Sequence, residues 1–306
     1  MASVSESVQR LGSRASGWIR LLCVAALVCG AASAPARVSA DSQTDIPAGI
    51  GSDPPRDDAS DAARWSEIRS ALYGDRPIQE AGGLIAMETP YRALDAAVVP
   101  VDMTAVLEQT PEHFIETLTL IVDNNPAPVA AVFHFRGGRP WTTLSTRVRV
   151  DSYTTIRAVA ETNRGELFMA ANYLKASGGC SAPSLKDPGA AASELGRMKL
   201  LLPEQVSPGE RIAAQILIKH PNSSGLQFDQ VSRHYIPADF VTTIEASYEG
   251  ELLFSVESNI SISEDPSIHF TFIPNDAGTL TVQAKDSHGR TFEQHFEVPT
   301  SGGPRS

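Results

Sequence analysis

Cysteine is scarce in this chain. There are three in 306 residues, and two of them, Cys23 and Cys29, stand in an apolar N-terminal stretch. No Cys-x-x-Cys pair occurs, which excludes the common dithiol redox and zinc-ribbon patterns. None of the seven histidines (His113, His134, His220, His234, His269, His288 and His295) has a partner four residues away or a metal-type spacing to a cysteine. No metal and no cofactor are expected on these grounds. A glycine-rich phosphate loop and a Gly-x-Ser-x-Gly elbow are also missing, so the usual nucleotide and serine-hydrolase readings have nothing to rest on. Positive charge is in deficit, with 25 Lys and Arg against 36 Asp and Glu, a net charge of −11. That balance disfavours nucleic acid and anionic membrane surfaces as partners.

What is present begins with an export pattern. Arg10, Arg14 and Arg20 precede the apolar run Leu21–Gly30, which is too short to span a bilayer. Small residues follow, and Val38-Ser39-Ala40 fits a cleavage site before Asp41. Residues 1–40 read as a cleaved signal peptide, the mature protein as periplasmic, and no later run is long enough for a membrane helix. Removing the segment takes four arginines and one glutamate, a net +3, and leaves the rest at −14. It also leaves Cys180 as the single thiol. In an oxidising compartment a lone thiol is buried and inert, paired between chains, or reactive by design.

The acidic, Pro- and Gly-rich stretch 41–61 has no apolar period and reads as a disordered leader. In Ala63–Leu72 the residues Trp65, Ile68 and Leu72 share one helical face, Ser60 or Asp61 is placed to cap it, and Gly74 and Pro77 to end it. The period then changes to two. Strands are expected at 84–87, 97–103, 117–122, 129–135, 144–150, 154–161 and 166–176, with turns such as Asp123-Asn124-Asn125-Pro126 between them. Residues 181–196, with two prolines and four alanines, read as a linker. A second series follows at 198–202, 211–219, 240–248, 251–256, 268–273, 279–285 and 291–298, with a hairpin at Tyr248-Glu249-Gly250. The expected fold is all-β: two tandem immunoglobulin-like antiparallel β-sandwiches, residues 62–180 and 197–300, behind a short N-terminal helix.

One stretch carries chemistry. Ser177-Gly178-Gly179-Cys180-Ser181-Ala182-Pro183 follows the last strand of the first series. Two glycines before a thiol suit an arm that is flexible and reachable. An unperturbed thiol, with a pKa of about 8.5, is a few per cent ionised near neutrality, and no histidine or other base is adjacent to activate it. That fits a carrier thiol activated in a partner's active site better than a self-standing thiol enzyme. A buried cysteine acting as a small hydrophobe is the alternative. Arg147, Arg149 and Arg157 lie on consecutive strands and form either a basic stripe for an anion or solvated strand faces.

Several stretches together resemble the SoxY and SoxZ subunits of the sulfur-oxidation carrier, fused in one chain. Toward SoxY these are Leu120–Ala130, Thr146–Val150, Ile156–Glu161 and Gly178-Gly179-Cys180; toward SoxZ they are Lys219-His220-Pro221 with Gly225, Ile236-Pro237-Ala238, Tyr248-Glu249-Gly250, Ile262–Pro266 and Asp286–Gly289. The resemblance covers roughly 62–300 and is similar to the fused carriers associated with quinoprotein dehydrogenases. It implies a periplasmic carrier without its own catalytic site, paired SoxY-like and SoxZ-like domains, and covalent attachment of a sulfur intermediate to Cys180. The partners it implies are periplasmic oxidoreductases: thiosulfate-oxidising enzymes, or a quinoprotein dehydrogenase and cytochrome c. A non-covalent adaptor for such a dehydrogenase is the competing expectation. Where the family's free arm continues Gly-Gly after the cysteine, this chain has Ser181-Ala182-Pro183 and runs on into another domain, so the arm is tethered at both ends.

Overall fold

The protein is described here by a computed structural model covering residues 58–136, 140–183 and 193–300. The expected signal peptide, most of the leader and the centre of the linker lie outside the described residues. The first half comprises α1 (Asp58–Tyr73), β1 (Ile78–Glu80), β2 (Ile85–Glu88), β3 (Val99–Ala105), β4 (Ile115–Val122), β5 (Val129–Phe135), β6 (Thr143–Val148), β7 (Thr154–Thr162) and β8 (Leu167–Leu174). The second comprises β9 (Met198–Leu201), β10 (Ile212–Ile218), β11 (Phe228–Asp229), β12 (His234–Tyr235), β13 (Val241–Tyr248), β14 (Glu251–Ser258), β15 (Ser267–Phe272), β16 (Gly278–Asp286) and β17 (Thr291–Val298).

The alternating apolar residues make these segments half-buried strands, as in β3, where Val99, Val101, Met103 and Ala105 point inward and the residues between them outward. All fourteen strands expected from the period are found, to within a few residues, and the protein is an antiparallel β-sandwich protein as expected. The Glu249-Gly250 turn has positive φ at both positions, 51° and 78°, the geometry that matches strand twist in a two-residue hairpin. Three short strands escaped the sequence reading: β1, which pairs with β8 in parallel, and the two-residue ribbon β11–β12. The helix is already formed at Asp58, so Ser60 and Asp61 lie inside its first turns and not at its cap, and 58–61 are helical where a leader was expected. It packs on the sheet through Trp65, Ile68 and Tyr73; Leu72, expected on that face, is exposed.

The two halves are not beads on a linker. One sheet runs β1-β8-β7-β4-β5-β14-β13-β16-β17 and the other β2-β3-β6-β15-β10-β9, so each sheet crosses from one half into the other. The seam is built by β5 on β14, from Phe135 opposite Phe254 to Ala131 opposite Ser258, and by β6 on β15. One apolar core, from Leu84 to Val298, fills the space between the sheets on both sides of the seam. At one end of the seam a cleft of about 750 Å³ opens among Phe135, Trp141, Phe254 and Phe270. The Gly-Gly-Cys turn sits at the other end.

Candidate functional site

After β8 the chain bends back on the end of β6. Gly178 N–H donates to Asp151 O at 2.8 Å and Gly179 N–H to Val150 O at 2.9 Å. The two glycines are required for different reasons. Gly178 takes φ +80° in open space, a left-handed conformation that side chains disfavour. Gly179 has ordinary φ, but a Cβ there would stand 2.0 Å from Ala96 O and 2.8 Å from Val150 O. The pair therefore builds a close-packed turn. Ser177 and Gly178 are exposed, yet Cys180 is 0 % exposed. The expectation of a mobile, reachable thiol is corrected here: the turn's own hydrogen bonds and the second half enclose it.

The enclosure is polar and comes from both halves. Ser224 Oγ donates to Cys180 O, and Gln227 Nε2 donates to Ala182 O at 2.9 Å, so two second-half side chains hold the backbone around the thiol. Buried Asn125 bridges the halves. Its Nδ2 donates to Arg149 O at 2.8 Å and to Ser261 Oγ at 2.9 Å, while its Oδ1 accepts from Asp151 N–H at 2.9 Å. Arg149, 2 % exposed, reaches Gly179 O with Nη1 and Asn222 O with Nη2, both at 3.3 Å.

Burial pushes the Cys180 thiol up to about 12; the negative charge of Asp151 adds to the rise and Arg149 opposes it. In this closed state the thiol is protonated at neutral pH and is no nucleophile. Burial likewise lowers the pKa of Arg149, against the favourable charges of Glu264 and Asp95.

Beyond Asn222 the network continues to His220, which is buried. Asn222 N–H donates to His220 Nδ1 at 3.1 Å, which puts the proton of the neutral ring on Nε2. Nε2 faces Asp239 at 3.6 Å and Asp286 at 3.5 Å without a hydrogen bond. The three groups have metal-like spacing. A metal-bound histidine, however, offers its second nitrogen as a donor, and here that nitrogen accepts. The same two carboxylate oxygens are also bonded by the Arg290 guanidinium. The cluster is an ion-pair knot around a neutral histidine, whose pKa burial lowers against the pull of Asp239 and Asp286. Nothing in the chain order announced it, since its members stand 19 and 47 residues apart from one another.

Residues 69–180 match the family described as sulfur oxidation protein SoxY, and residues 198–297 match that described as sulphur oxidation protein SoxZ. The chain is a fused SoxYZ-like protein. It thus belongs to the carriers of sulfur oxidation, and the first match ends on Cys180 itself. Among solved structures it is similar to the sulfur carrier protein SoxY from Chlorobium limicola f thiosulfatophilum, at 23 % identity over 39 % of this chain and 96 % of that one, with a TM-score of 0.33. A putative superoxide reductase from Thermotoga maritima matches at 19 % identity over 34 % and 96 %, with a TM-score of 0.29. No curated protein matches the sequence.

The remaining candidates separate. Arg157 is bonded to Asp123 through Nε and Nη2 and lies 4.2 Å over the Trp65 ring, tying the helix to the SoxY half. Arg147 donates to Asp265 O across the seam at 2.8 Å. With Arg149 buried, the three arginines form no common stripe. His113 and His134 face Glu166 and Glu257. The SoxY half contributes the thiol, Arg149 and Asn125; the SoxZ half contributes Asn222, Ser224, Gln227 and Ser261, none of which the sequence connects to the thiol.

Proposed function

We propose that this protein is an exported, periplasmic carrier that holds a sulfur-containing or otherwise thiol-reactive intermediate covalently on Cys180 for partner oxidoreductases, thiosulfate-oxidising enzymes among them. The observation that carries this reading is the coincidence of one cysteine, Cys180, with the end of the SoxY match, at a glycine turn clasped by the SoxZ half. The closed turn cannot react, so loading requires it to leave its slot. About five hydrogen bonds hold it, from Gly178, Gly179, Arg149, Ser224 and Gln227. At a net ~1 kcal/mol each they keep the closed form dominant by several kcal/mol, within reach of a partner's binding energy.

Intact-mass measurement on protein from its native host is expected to find an adduct on Cys180 that a reductant removes. Cys180→Ser is expected to lose both the adduct and the cellular phenotype, and full function in that variant would sink the proposal.

The complete enclosure of Cys180 favours a second reading, in which the thiol is incidental and the protein is a non-covalent adaptor for a periplasmic quinoprotein dehydrogenase and its cytochrome c. That reading expects stable co-purification with the dehydrogenase whether or not Cys180 is present.

A further inference from the structure

The most deeply buried arginine of the described residues, Arg149, has no carboxylate partner. Arg157 is bonded by Asp123 at 2.8–3.0 Å, Arg290 by Asp239 and Asp286, and Arg76 by Glu161 at 2.6 Å. Arg149 is 2 % exposed and has only the two 3.3 Å carbonyl contacts, to Gly179 and Asn222. Its Nε is buried with no partner. Among the described residues no carboxylate lies within ion-pair distance of it. Glu264 and Asp95 act on it only at longer range. An isolated buried guanidinium is strongly unfavourable compared with an apolar side chain of similar volume, and it is tolerated where a counter-charge completes it. The protonated Cys180 does not supply that charge.

We infer that Arg149 is the counter-ion for an anionic group carried on Cys180, so that the site favours sulfur cargo ending in a negative charge, such as a sulfonate or a persulfide, over neutral adducts. This rests on the carrier reading above. From the end of β6 the guanidinium bonds Gly179 O, the carbonyl next to the thiol residue, and its unpartnered Nε–H is a charge-assisted donor for a terminal oxygen or sulfur. Room for the added atoms comes from displacement of the turn, whose Ser177, Gly178 and Ser181 are exposed.

The test loads Cys180 in two ways in mild urea, removes the urea, and confirms each adduct by intact mass. Tetrathionate gives the anionic adduct. The Cys180 thiolate, its proton lost to solvent, attacks an inner sulfur of tetrathionate. A new S–S bond forms, the central S–S bond breaks, and thiosulfate leaves with the electron pair, so the cysteine sulfur is oxidised and tetrathionate is reduced. Methyl methanethiosulfonate gives the neutral methylthio adduct, with methanesulfinate leaving. Melting temperatures are then compared for wild type, Arg149→Met and Arg149→Lys.

The anionic adduct is expected to melt about 5 °C above the methylthio adduct in wild type, to retain part of that gap in Arg149→Lys, and to lose it in Arg149→Met. Unloaded Arg149→Met is expected to melt no lower than wild type, because an unpaired buried charge has been removed. Equal melting of the two adducts in wild type overturns the inference, as does a gap that survives in Arg149→Met. Should Arg149→Met fail to fold, the wild-type and Arg149→Lys comparisons decide in the same way. Absence of a native adduct in the experiment above speaks against carriage itself, whereas charge-indifferent melting of loaded protein speaks only against the role of Arg149.

Discussion

Gly179→Ala is expected to raise the alkylation rate of native Cys180 by about a hundredfold. The substitution is conservative in size and keeps an allowed backbone conformation, so the effect is steric alone. A methyl group 2.0 Å from Ala96 O cannot be accommodated by rotating a side chain, because its nearest neighbours, in Ala96 and Val150, are backbone atoms. The turn must leave its slot and take the thiol with it. In wild type at pH 8, a thiol held at about 12 is ionised about a thousandfold less than one at the ordinary value of about 8.5, before its enclosure is counted. Iodoacetamide labelling followed by mass spectrometry measures both states. A Gly179→Ala protein that labels as slowly as wild type would refute the account of the closed turn. Gly178→Ala is the control, since its φ of +80° strains a side chain but its surroundings are open, and the cost there is only about 1 kcal/mol. The same thiol gives stability a pH dependence. Its folded pKa is raised above the unfolded one, so the stabilisation is complete below about pH 8.5 and drains away as pH climbs towards about 12.

Cutting the chain between residues 184 and 192 is expected to leave a single particle, while residues 58–183 produced alone are expected to associate or precipitate. The reason is the seam. Separating the halves strips β14 from β5 and β15 from β6, and bares two long strand edges together with the core between them. Unpaired edges of this kind template aggregation. Size-exclusion chromatography of the nicked protein, and of the first half alone, distinguishes this from two independent sandwiches, for which both the nicked halves and the isolated half would run as soluble monomers.

The strands were legible because half-buried strands write their period into the sequence, as Val99 to Ala105 does. The hairpin at Glu249-Gly250 was legible because its second turn position, at φ 78°, favours the glycine found there between two alternating runs. The seam was not, because an edge that pairs with a distant strand has the same alternation as one that pairs with its neighbour. Arg149 shows how a period can mislead. Alternation along Thr146-Arg147-Val148-Arg149-Val150 turns Arg149 outward, but β6 ends at Val148, and Arg149 N–H donates to Ser261 O of the other half at 2.8 Å. The side chain is buried where the strand stops. Asn125 looked like a turn residue and is one, but its side chain is also a bracket between the halves. Gly178-Gly179 read as flexibility, because a glycine required by a positive φ or by a close approach has the same letter as one that merely loosens a loop.

The unbroken sheets have a consequence for dilution. Ser224 and Gln227 reach the thiol turn from the other half, and in an assembly of two separate chains such contacts would weaken whenever the partners came apart. Here both halves are one covalent chain with one core, so the shielding groups stand beside Cys180 at an effective concentration that does not depend on how much protein is present. Protection of the thiol is thereby a first-order property of each molecule, the same in a crowded compartment and in a sparse one.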